Sequence, residues 1–234
     1  NLCKILLDIN ERLIEQNFLE ISKNVIWRLI MNNIQKTLEN LNKKGFLAVY
    51  AENVDMAVKY ILSNIKTSDV VGIGGSVTLI EIGIIEALKK RGNKLYSKAI
   101  ALEKGQNAES AMLAGMNADV YLTSTNALTV SGDLVNIDGT GNRVAAMFYG
   151  PKKVIIITGK NKIVDNYNNA IERIKKIVCP INARKLRLNT PCAIYGECSE
   201  CDSPQRMCNV TVYLQYPTRG KEIHIVLIDG DFGF

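Results

Sequence analysis

Short apolar runs alternate with stretches of helical apolar spacing, and this alternation restricts the fold more than any other feature of the sequence. The predicted strands are 46–51, 69–73, 93–97, 119–123 and 153–158, and the predicted helices are 53–65, 78–90, 108–116, 142–148 and 165–178. Pro180 is expected to end the last of these helices. Because strands that alternate with helices form parallel βαβ units, we predict an α/β fold with a three-layer, mostly parallel sheet and flanking helices.

Both ends of the chain depart from this pattern. Apolar residues recur at helical spacing near the start, so residues 1–45 are predicted to form an N-terminal helical segment with Gly45 as its C-cap. Residues 46–234 are assigned to one α/β domain. Its last part begins with a loop rich in Cys, Pro and Gly, 190–209, continues as two β-like runs, and is expected to form a Cys-rich C-terminal lobe.

Charge and composition argue against several classes of function. The chain of 234 residues has a formal net charge of +6, but its Lys and Arg residues are dispersed and not interleaved with aromatic residues, which argues against nucleic-acid binding. No apolar run approaches the roughly 20 residues of a membrane span. Charges are scattered through the N-terminus, unlike a secretory signal, so we expect a cytoplasmic protein with reduced thiols.

A strand that runs into a glycine turn is the first candidate ligand site. Gly74, Gly75 and Ser76 follow an apolar strand and precede a predicted helix, where backbone N–H groups and the hydroxyls of Ser76 and Thr78 suit a carboxylate or phosphate. Glu81, about one helical turn further on, is a candidate catalytic residue. The competing interpretation is a tight turn with a capped helix.

A second stretch, 123–146, places many polar side chains after the next strand. Its candidate ligand-binding residues are Asn126, Asp138, Gly139, Thr140, Gly141, Asn142 and Arg143. Arg143 is suited to bidentate capture of an anion, and open α/β sheets bind ligands where successive strands end. Lys160, which follows another apolar strand, is expected at the same edge. The alternative is a hairpin whose Asn and Asp bond local backbone, with a solvated lysine.

Four of the six cysteines lie close together, at Cys192, Cys198, Cys201 and Cys208, in a C-x5-C-x2-C-x6-C pattern. A central C-x-x-C with two flanking cysteines can supply four sulfur ligands to one metal centre. This spacing is that of neither a bacterial ferredoxin nor a paired zinc ribbon, so an iron–sulfur cluster, a structural zinc and free thiols all remain. Cys179, outside the loop, is interpreted as a packing residue.

His224 is the only histidine of the chain. It alternates with apolar residues in a predicted strand, which points it to the opposite face and favours a surface or interface position. A hydrolase that needs two zinc-binding histidines from one chain is therefore excluded, and nucleophilic systems based on histidine have few options.

Three long segments resemble the LUD-domain family, the lactate-utilisation proteins, over about residues 31–234. The segments are GGSVTLIEIG, LTSTNALTVSGDLVNIDGTGNRVAAMFYGPKKVIIITGKNKIV and TPCAIYGECSECDSPQRMCN. The resemblance implies a NagB/RpiA/CoA-transferase-like fold, related to 5-formyltetrahydrofolate cyclo-ligase. It also implies a link to the oxidation of lactate to pyruvate beside iron–sulfur partner proteins, and this link favours the iron–sulfur cluster over zinc. The CoA-transferase relatives use a catalytic glutamate, but Glu81 does not align with it securely.

These observations lead to one preferred function and two alternatives. The preferred function is a redox-linked accessory protein or enzyme of lactate utilisation that binds a small organic acid, or an anionic cofactor such as a nucleotide or CoA. The alternatives are an enzyme of acyl or phosphate chemistry with a structural zinc, and a scaffold subunit of a lactate-oxidation complex. The expected partners are a small anionic ligand and iron–sulfur proteins, and homo-oligomers are compatible with the sequence.

Overall fold

The computed structural model of the chain describes residues 29–234. The part of the predicted N-terminal segment that precedes residue 29 lies outside the described residues. Its described part is a helix, α1, over 29–43. Gly45 follows with φ +92°, and the N–H of Phe46 bonds back to the carbonyl of Leu41 at 3.1 Å, so Gly45 ends the helix as predicted.

The domain that follows alternates strands and helices. The strands are β1 Leu47–Ala51, β2 Val71–Ile73, β3 Leu95–Tyr96, β4 Val120–Ser124, β5 Ala127–Thr129, β6 Leu134–Asp138, β7 Lys153–Gly159, β8 Ile163–Val164, β9 Val210–Leu214 and β10 Glu222–Ile228. The helices are α2 Val54–Ser63, α3 Val77–Glu81, α4 Ile84–Arg91, α5 Lys98–Glu103, α6 Ala108–Met116, α7 Asn142–Phe148, α8 Tyr167–Arg173, α9 Cys179–Lys185 and α10 Pro191–Tyr195.

Six strands form the main sheet, in the order β1-β10-β7-β4-β2-β3, and every neighbouring pair in it is parallel. A second sheet, β8-β5-β6-β9, contains both parallel and antiparallel pairs. The predicted α/β class with a mostly parallel sheet and flanking helices is therefore confirmed. The strand β10 lies inside the main sheet, and β9 pairs with β6, so the residues after the Cys-rich loop return to the body of the domain.

The central strands explain why the sheet is stable. Along β7, Ile155 and Ile157 enter a core cluster on one face of the sheet, whereas Val154 and Ile156 enter the cluster on the other face. Side chains alternate between the faces of a strand, so a strand that is covered on both sides needs a continuous apolar run. The Val-Ile-Ile-Ile sequence of β7 meets this requirement with β-branched residues.

Pro180 does not end the helix that precedes it, contrary to the prediction. The helix continues from α8 through a π-helical turn, Ile174–Val178, into α9, where Pro180 occupies the first turn. Proline lacks an N–H and its ring crowds the preceding turn. The wider π turn immediately before it gives a physical account of how the chain keeps its helical course.

The surface position expected for His224 is also wrong. His224 is buried, its Nδ1 lies 2.7 Å from the hydroxyl of Tyr60, and its Nε2 lies 2.7 Å from a carboxylate oxygen of Glu222. The prediction assumed a strand with one open face. Because β10 is an inner strand with α2 packed over it, both of its faces are covered.

Candidate functional site

The carboxyl ends of β2, β4 and β7 lie on the same edge of the main sheet, since these strands are parallel neighbours. Three side chains that follow or end these strands meet there. The Nζ of Lys162 donates to the hydroxyl oxygen of Thr78 at 2.9 Å and to that of Ser124 at 3.0 Å. We call this group of three the strand-end cluster. It brings one sequence-predicted residue, Thr78, together with two that were not predicted.

Lys162 is the centre of this cluster, and it is only 3% exposed. Burial lowers the pKa of its ammonium to about 7, and the positive charges of Arg173 and Arg143 add to this effect. Glu81 acts in the opposite direction, but its side chain is exposed. None of the described carboxylates forms an ion pair with Lys162. Its only hydrogen-bond partners in this part of the chain are the two hydroxyls.

Arg173, at the end of α8, is a second buried cation beside Lys162. Its Nε donates to the carbonyl of Asn161 at 3.2 Å, and its Nη1 is buried with no hydrogen-bond partner among the described residues. Arg173 is 9% exposed, and burial lowers the pKa of its guanidinium. A buried N–H without an acceptor is costly, so this group is an unusual feature of the edge.

Residues 231–234, the covering segment, lie over the strand-end cluster. The hydroxyl of Thr78 donates to the carbonyl of Phe232 at 3.3 Å, and the side-chain amide of Asn161 donates to the carbonyl of Gly233 at 3.3 Å. The N–H of Gly233 donates to Glu81 at 2.6 Å. Gly233 has φ +64°, and a Cβ there would lie 2.5 Å from the hydroxyl oxygen of Thr78 and 3.0 Å from Nζ of Lys162. The backbone of the segment therefore fills the space above the cluster.

Arg143, in contrast, is held in a closed network. Its Nε donates to Asp138 at 3.1 Å, and its Nη1 donates to the carbonyl of Ser124 at 3.1 Å and to Asn136 at 2.9 Å. Its Nη2 donates to Asn126 at 3.2 Å and to the carbonyl of Ile137 at 3.0 Å. These five acceptors match the five N–H groups of a guanidinium. Capture of an anion by Arg143 stays a prediction, and it would require the arginine to exchange one of these partners.

The other predicted residues surround these two groups. Asp138 accepts from the N–H groups of Thr140 at 3.1 Å and Gly141 at 2.8 Å, which fixes the turn before α7. A Cβ at Gly74 would lie 3.2 Å from Cγ of Arg143, so the two predicted turns are neighbours. The remaining predicted positions have structural or exposed roles: Gly75 and Thr140 are exposed, Ser76 caps α3, Gly139 packs against Met207, and Asn142 begins α7.

Lys160 was expected at the ligand edge, but its Nζ pairs with Asp229 at 2.7 Å, and both side chains are partly exposed. Lys162, two residues later, is the lysine that lies in the strand-end cluster. A short 3₁₀ turn, Lys160–Lys162, separates them and points them to different surroundings. Both lysines follow the same apolar strand in the sequence, so the pattern alone did not distinguish them.

The four predicted cysteines line one small cavity, of about 20 Å³, together with Cys179. All five have free thiols, and α10 carries Cys192 while the loop after it carries the other three. Cys179 lies at the start of α9 and is buried, and burial followed by the neighbouring cysteines raises the pKa of its thiol to about 12. In the described part of the chain, no three His, Cys, Asp or Glu side chains are arranged to hold a metal ion in their present positions. The sulfurs thus share a cavity without converging on one point.

Two cationic side chains lie beside this cysteine cavity. The Nη2 of Arg206 lies 3.4 Å from Sγ of Cys208, and Lys175 lies near Cys198 and Cys208. Lys175 also pairs with the carboxylate of Glu200 in the same loop. Positively charged side chains therefore border the cavity beside Cys208 and Cys198.

The family model of the LUD domain matches residues 34–228. The chain belongs to the LUD-domain family. Among solved structures, this LUD protein is similar to a DUF162 family protein from Deinococcus radiodurans, at 10% identity and a TM-score of 0.50, over 85% of this chain and 98% of that one. This likeness concerns the fold alone. No curated protein matches the chain.

The strand-end cluster, the Arg143 network and the cysteine loop all lie inside the matched LUD domain. The covering segment of this LUD protein lies after the matched residues. None of the helices in the described range 29–234 has the length and apolar character that crossing a membrane requires. The residues that the sequence analysis missed in the LUD domain are Ser124, Lys162, Arg173 and the cavity position of Cys179. The only sequence signal for them was that Ser124 and Lys162 follow apolar strands, as the predicted residues do.

Proposed function

We propose that this LUD protein is a redox-linked protein of lactate utilisation, in which the loop cysteines hold a metal centre and the strand-end cluster receives a small organic acid. The observation that carries the proposal is the gathering of Cys192, Cys198, Cys201 and Cys208 around one cavity. Four thiols from a single bent loop provide the complete ligand set of an iron–sulfur cluster or a zinc ion.

The residues around the cavity fit such a centre in charge. Four thiolates with a zinc ion or an iron–sulfur cluster leave net negative charge, and Arg206 and Lys175 lie where they balance it. The thiols are half-buried, so the loop shields the centre in part while still admitting the metal. A bound iron–sulfur cluster would supply one-electron transfer, which suits a protein of lactate oxidation.

Zinc is the second candidate, and the size of the cavity favours it. A volume of about 20 Å³ accommodates a single ion, since one water-sized sphere needs roughly 10–15 Å³. A cluster of several irons requires the loop to move outward. No three of the described thiols are now arranged around one point. Binding of either centre therefore requires the cysteine side chains to rotate toward the middle of the cavity.

The test is metal and sulfide analysis, with a visible spectrum, on protein that is purified and reconstituted without oxygen. We expect iron, acid-labile sulfide and a broad visible absorbance that is lost on reduction; one equivalent of zinc in colourless protein would instead support the structural alternative. Cys201→Ser should abolish either signal, and Ser199→Ala, next to Cys198 in the same loop, should retain it.

Two results would contradict the proposal. One is wild-type protein that binds neither iron nor zinc after reconstitution, although its circular dichroism shows it folded. The other is Cys201→Ser that binds the metal as the wild type does. Binding of a nucleotide or a CoA-like anion stays a prediction of the sequence analysis.

A further inference from the structure

We propose that Lys162 and Arg173, with the hydroxyls of Thr78 and Ser124, bind the carboxylate group of a small organic acid at the position that the covering segment now occupies. The inference rests on the organic-acid part of the proposed function and is independent of the metal centre. Of its four residues the sequence analysis selected only Thr78, and recognition of the charge moves from Arg143 to Lys162 and Arg173.

The two cations of the site lack a balancing negative charge among the described residues. Lys162 and Arg173 are both at least nine-tenths buried, and none of the described carboxylates pairs with either of them. Arg143, a few ångströms away through Ser124, has Asp138 as its counter-ion. Burial of an unpaired cation is strongly unfavourable, and an anion at this place would relieve it. The unpartnered Nη1 of Arg173 supplies a further unused donor.

The group that now fills the site resembles a carboxylate in shape but not in charge. One carbonyl oxygen of the covering segment, that of Phe232, accepts from Thr78 of the site, and a second, that of Gly233, accepts from Asn161 next to Lys162. These peptide groups are planar and neutral. A carboxylate is also planar, offers two acceptor oxygens, and adds the negative charge that the peptides lack. The covering segment has no room for a side chain at position 233, because even a Cβ there would crowd Thr78 and Lys162.

Binding of a carboxylate here should be coupled to uptake of a proton by Lys162. The charged groups that face Lys162 are Arg173 on α8, Arg143 on α7 and Glu81 on α3, and with burial they set the pKa of Lys162 at about 7. A bound carboxylate favours the ammonium form, so it raises this pKa. Above pH 7 the protein therefore takes up a proton when the acid binds, and affinity falls as the pH rises.

The experiment is titration calorimetry on the whole chain with pyruvate, acetate and inorganic phosphate as probes. We expect pyruvate to bind, with proton uptake at pH 8 that is revealed by buffers of different ionisation enthalpy, and with weaker affinity at pH 9 than at pH 6. Lys162→Met should weaken binding by about 10-fold or more and remove the proton uptake, as expected for loss of a charged hydrogen bond. Lys152→Met is the matched control, because Lys152 is exposed and precedes the opposite end of β7.

A second variant tests the role of the covering segment. Gly233→Val places a Cβ where there is no room and strains a residue at φ +64°, so the segment should leave the site and the acid should bind more tightly than to the wild type. The inference is overturned if neither wild type nor a folded Gly233→Val binds pyruvate or acetate. It is also overturned if Lys162→Met binds as the wild type does, or if phosphate binds more tightly than both acids.

Metal analysis of the same samples separates this inference from the metal proposal. We expect Cys201→Ser to lose its metal and to bind pyruvate unchanged, since the cysteine cavity shares no lining residue with the strand-end cluster. Wild type that binds the acid but takes up neither iron nor zinc on reconstitution would contradict the metal centre alone. Metal binding without any affinity for the acids would contradict the carboxylate site alone.

Discussion

Arg143 and Lys162 are two largely buried cations that both donate to Ser124, but their other partners differ. Arg143 donates to the backbone carbonyl of Ser124 and to four further acceptors, among them the carboxylate of Asp138. Lys162 donates to the hydroxyl of the same serine and to one other hydroxyl, with no carboxylate partner among the described residues. The charge of Arg143 is therefore balanced within the fold, whereas the charge of Lys162 is available to a ligand.

This difference makes the strand-end cluster, and not the Arg143 network, the better candidate for a ligand site. A network in which every donor has an acceptor makes the turns around it rigid, and a ligand gains little by entering it. A buried cation without a counter-ion lowers the stability of the fold, and such cost is tolerated most often where function requires it. Substitutions at the two cations and their partners should separate the two cases.

Arg143→Met should destabilise the protein most. It leaves Asp138 as a buried carboxylate without a counter-ion, and it removes the N–H groups that donate to the side-chain oxygens of Asn126 and Asn136. The free energy of unfolding should therefore fall by about 3–5 kcal/mol. Urea denaturation measures the effect, and Arg219→Met, at an exposed arginine, is the control. A loss below about 1 kcal/mol, the scale of an exposed ion pair, would mean that the network is not the stabilising group.

Lys162→Met should have the opposite sign and a marked dependence on pH. The unfolded chain keeps the proton of Lys162 up to the ordinary pKa of 10.5, whereas the folded chain releases it near 7. Unfolding therefore takes up a proton between these values, and wild-type stability gains at most about 1.4 kcal/mol per pH unit as the pH rises.

The methionine variant lacks this term. Below pH 7 it should be more stable than the wild type by an amount on the order of a few kcal/mol, and the advantage should vanish near pH 10.5. Urea titrations at pH 6, 8 and 10 measure the difference. A constant difference across this range would show that Lys162 titrates normally and is not an unpaired cation.

Thr78→Val should have a smaller effect on the same cation. It removes one of the two hydroxyls that accept from Lys162 while keeping the shape of the side chain, so stability should fall by about 1 kcal/mol. The pKa of Lys162 should decrease further, because the ammonium loses a partner. The pH at which the stability curve bends measures this shift, and an unchanged bend would place Thr78 outside the environment of Lys162.

Lys160→Met should have the smallest effect. Its ion pair with Asp229 is partly exposed, so its loss should change the free energy of unfolding by less than about 1 kcal/mol, and by less still at high salt. Urea denaturation at low and high salt provides the measurement. A large effect that salt does not reduce would show that Lys160, like Arg143, belongs to a buried network.

Much of the fold was accessible from local patterns. The alternation of apolar runs and helical spacing predicted the parallel sheet, Gly45 ended α1 as expected, and most strands lie within a few residues of their predicted bounds. These features depend on residues close in sequence, since the period of apolar residues determines whether a segment buries one face as a helix or alternates as a strand. The spacing of the cysteines likewise belongs to one loop, and the four of them line one cavity, while their convergence on a metal centre stays a prediction.

The errors arose where distant segments meet. The helix that passes Pro180 depends on a π turn, the burial of His224 depends on β10 lying inside the sheet, and the addition of Cys179 to the cysteine cavity depends on α9 lying against the loop. None of these is a property of a short window of sequence. Each depends on which elements become neighbours after the chain has folded.

Local sequence patterns specified a parallel α/β sheet with polar residues at the ends of its strands, and a cluster of cysteines in one loop of this LUD protein. Tertiary contacts specified that Lys162, and not Lys160, faces Thr78 and Ser124. They also gave each N–H of Arg143 an acceptor among the described residues. The physical reason is that a strand pattern specifies which residues leave the sheet at its edge. Their partners, their burial and thus their pKa values depend on the strand order and on the segments that cover that edge.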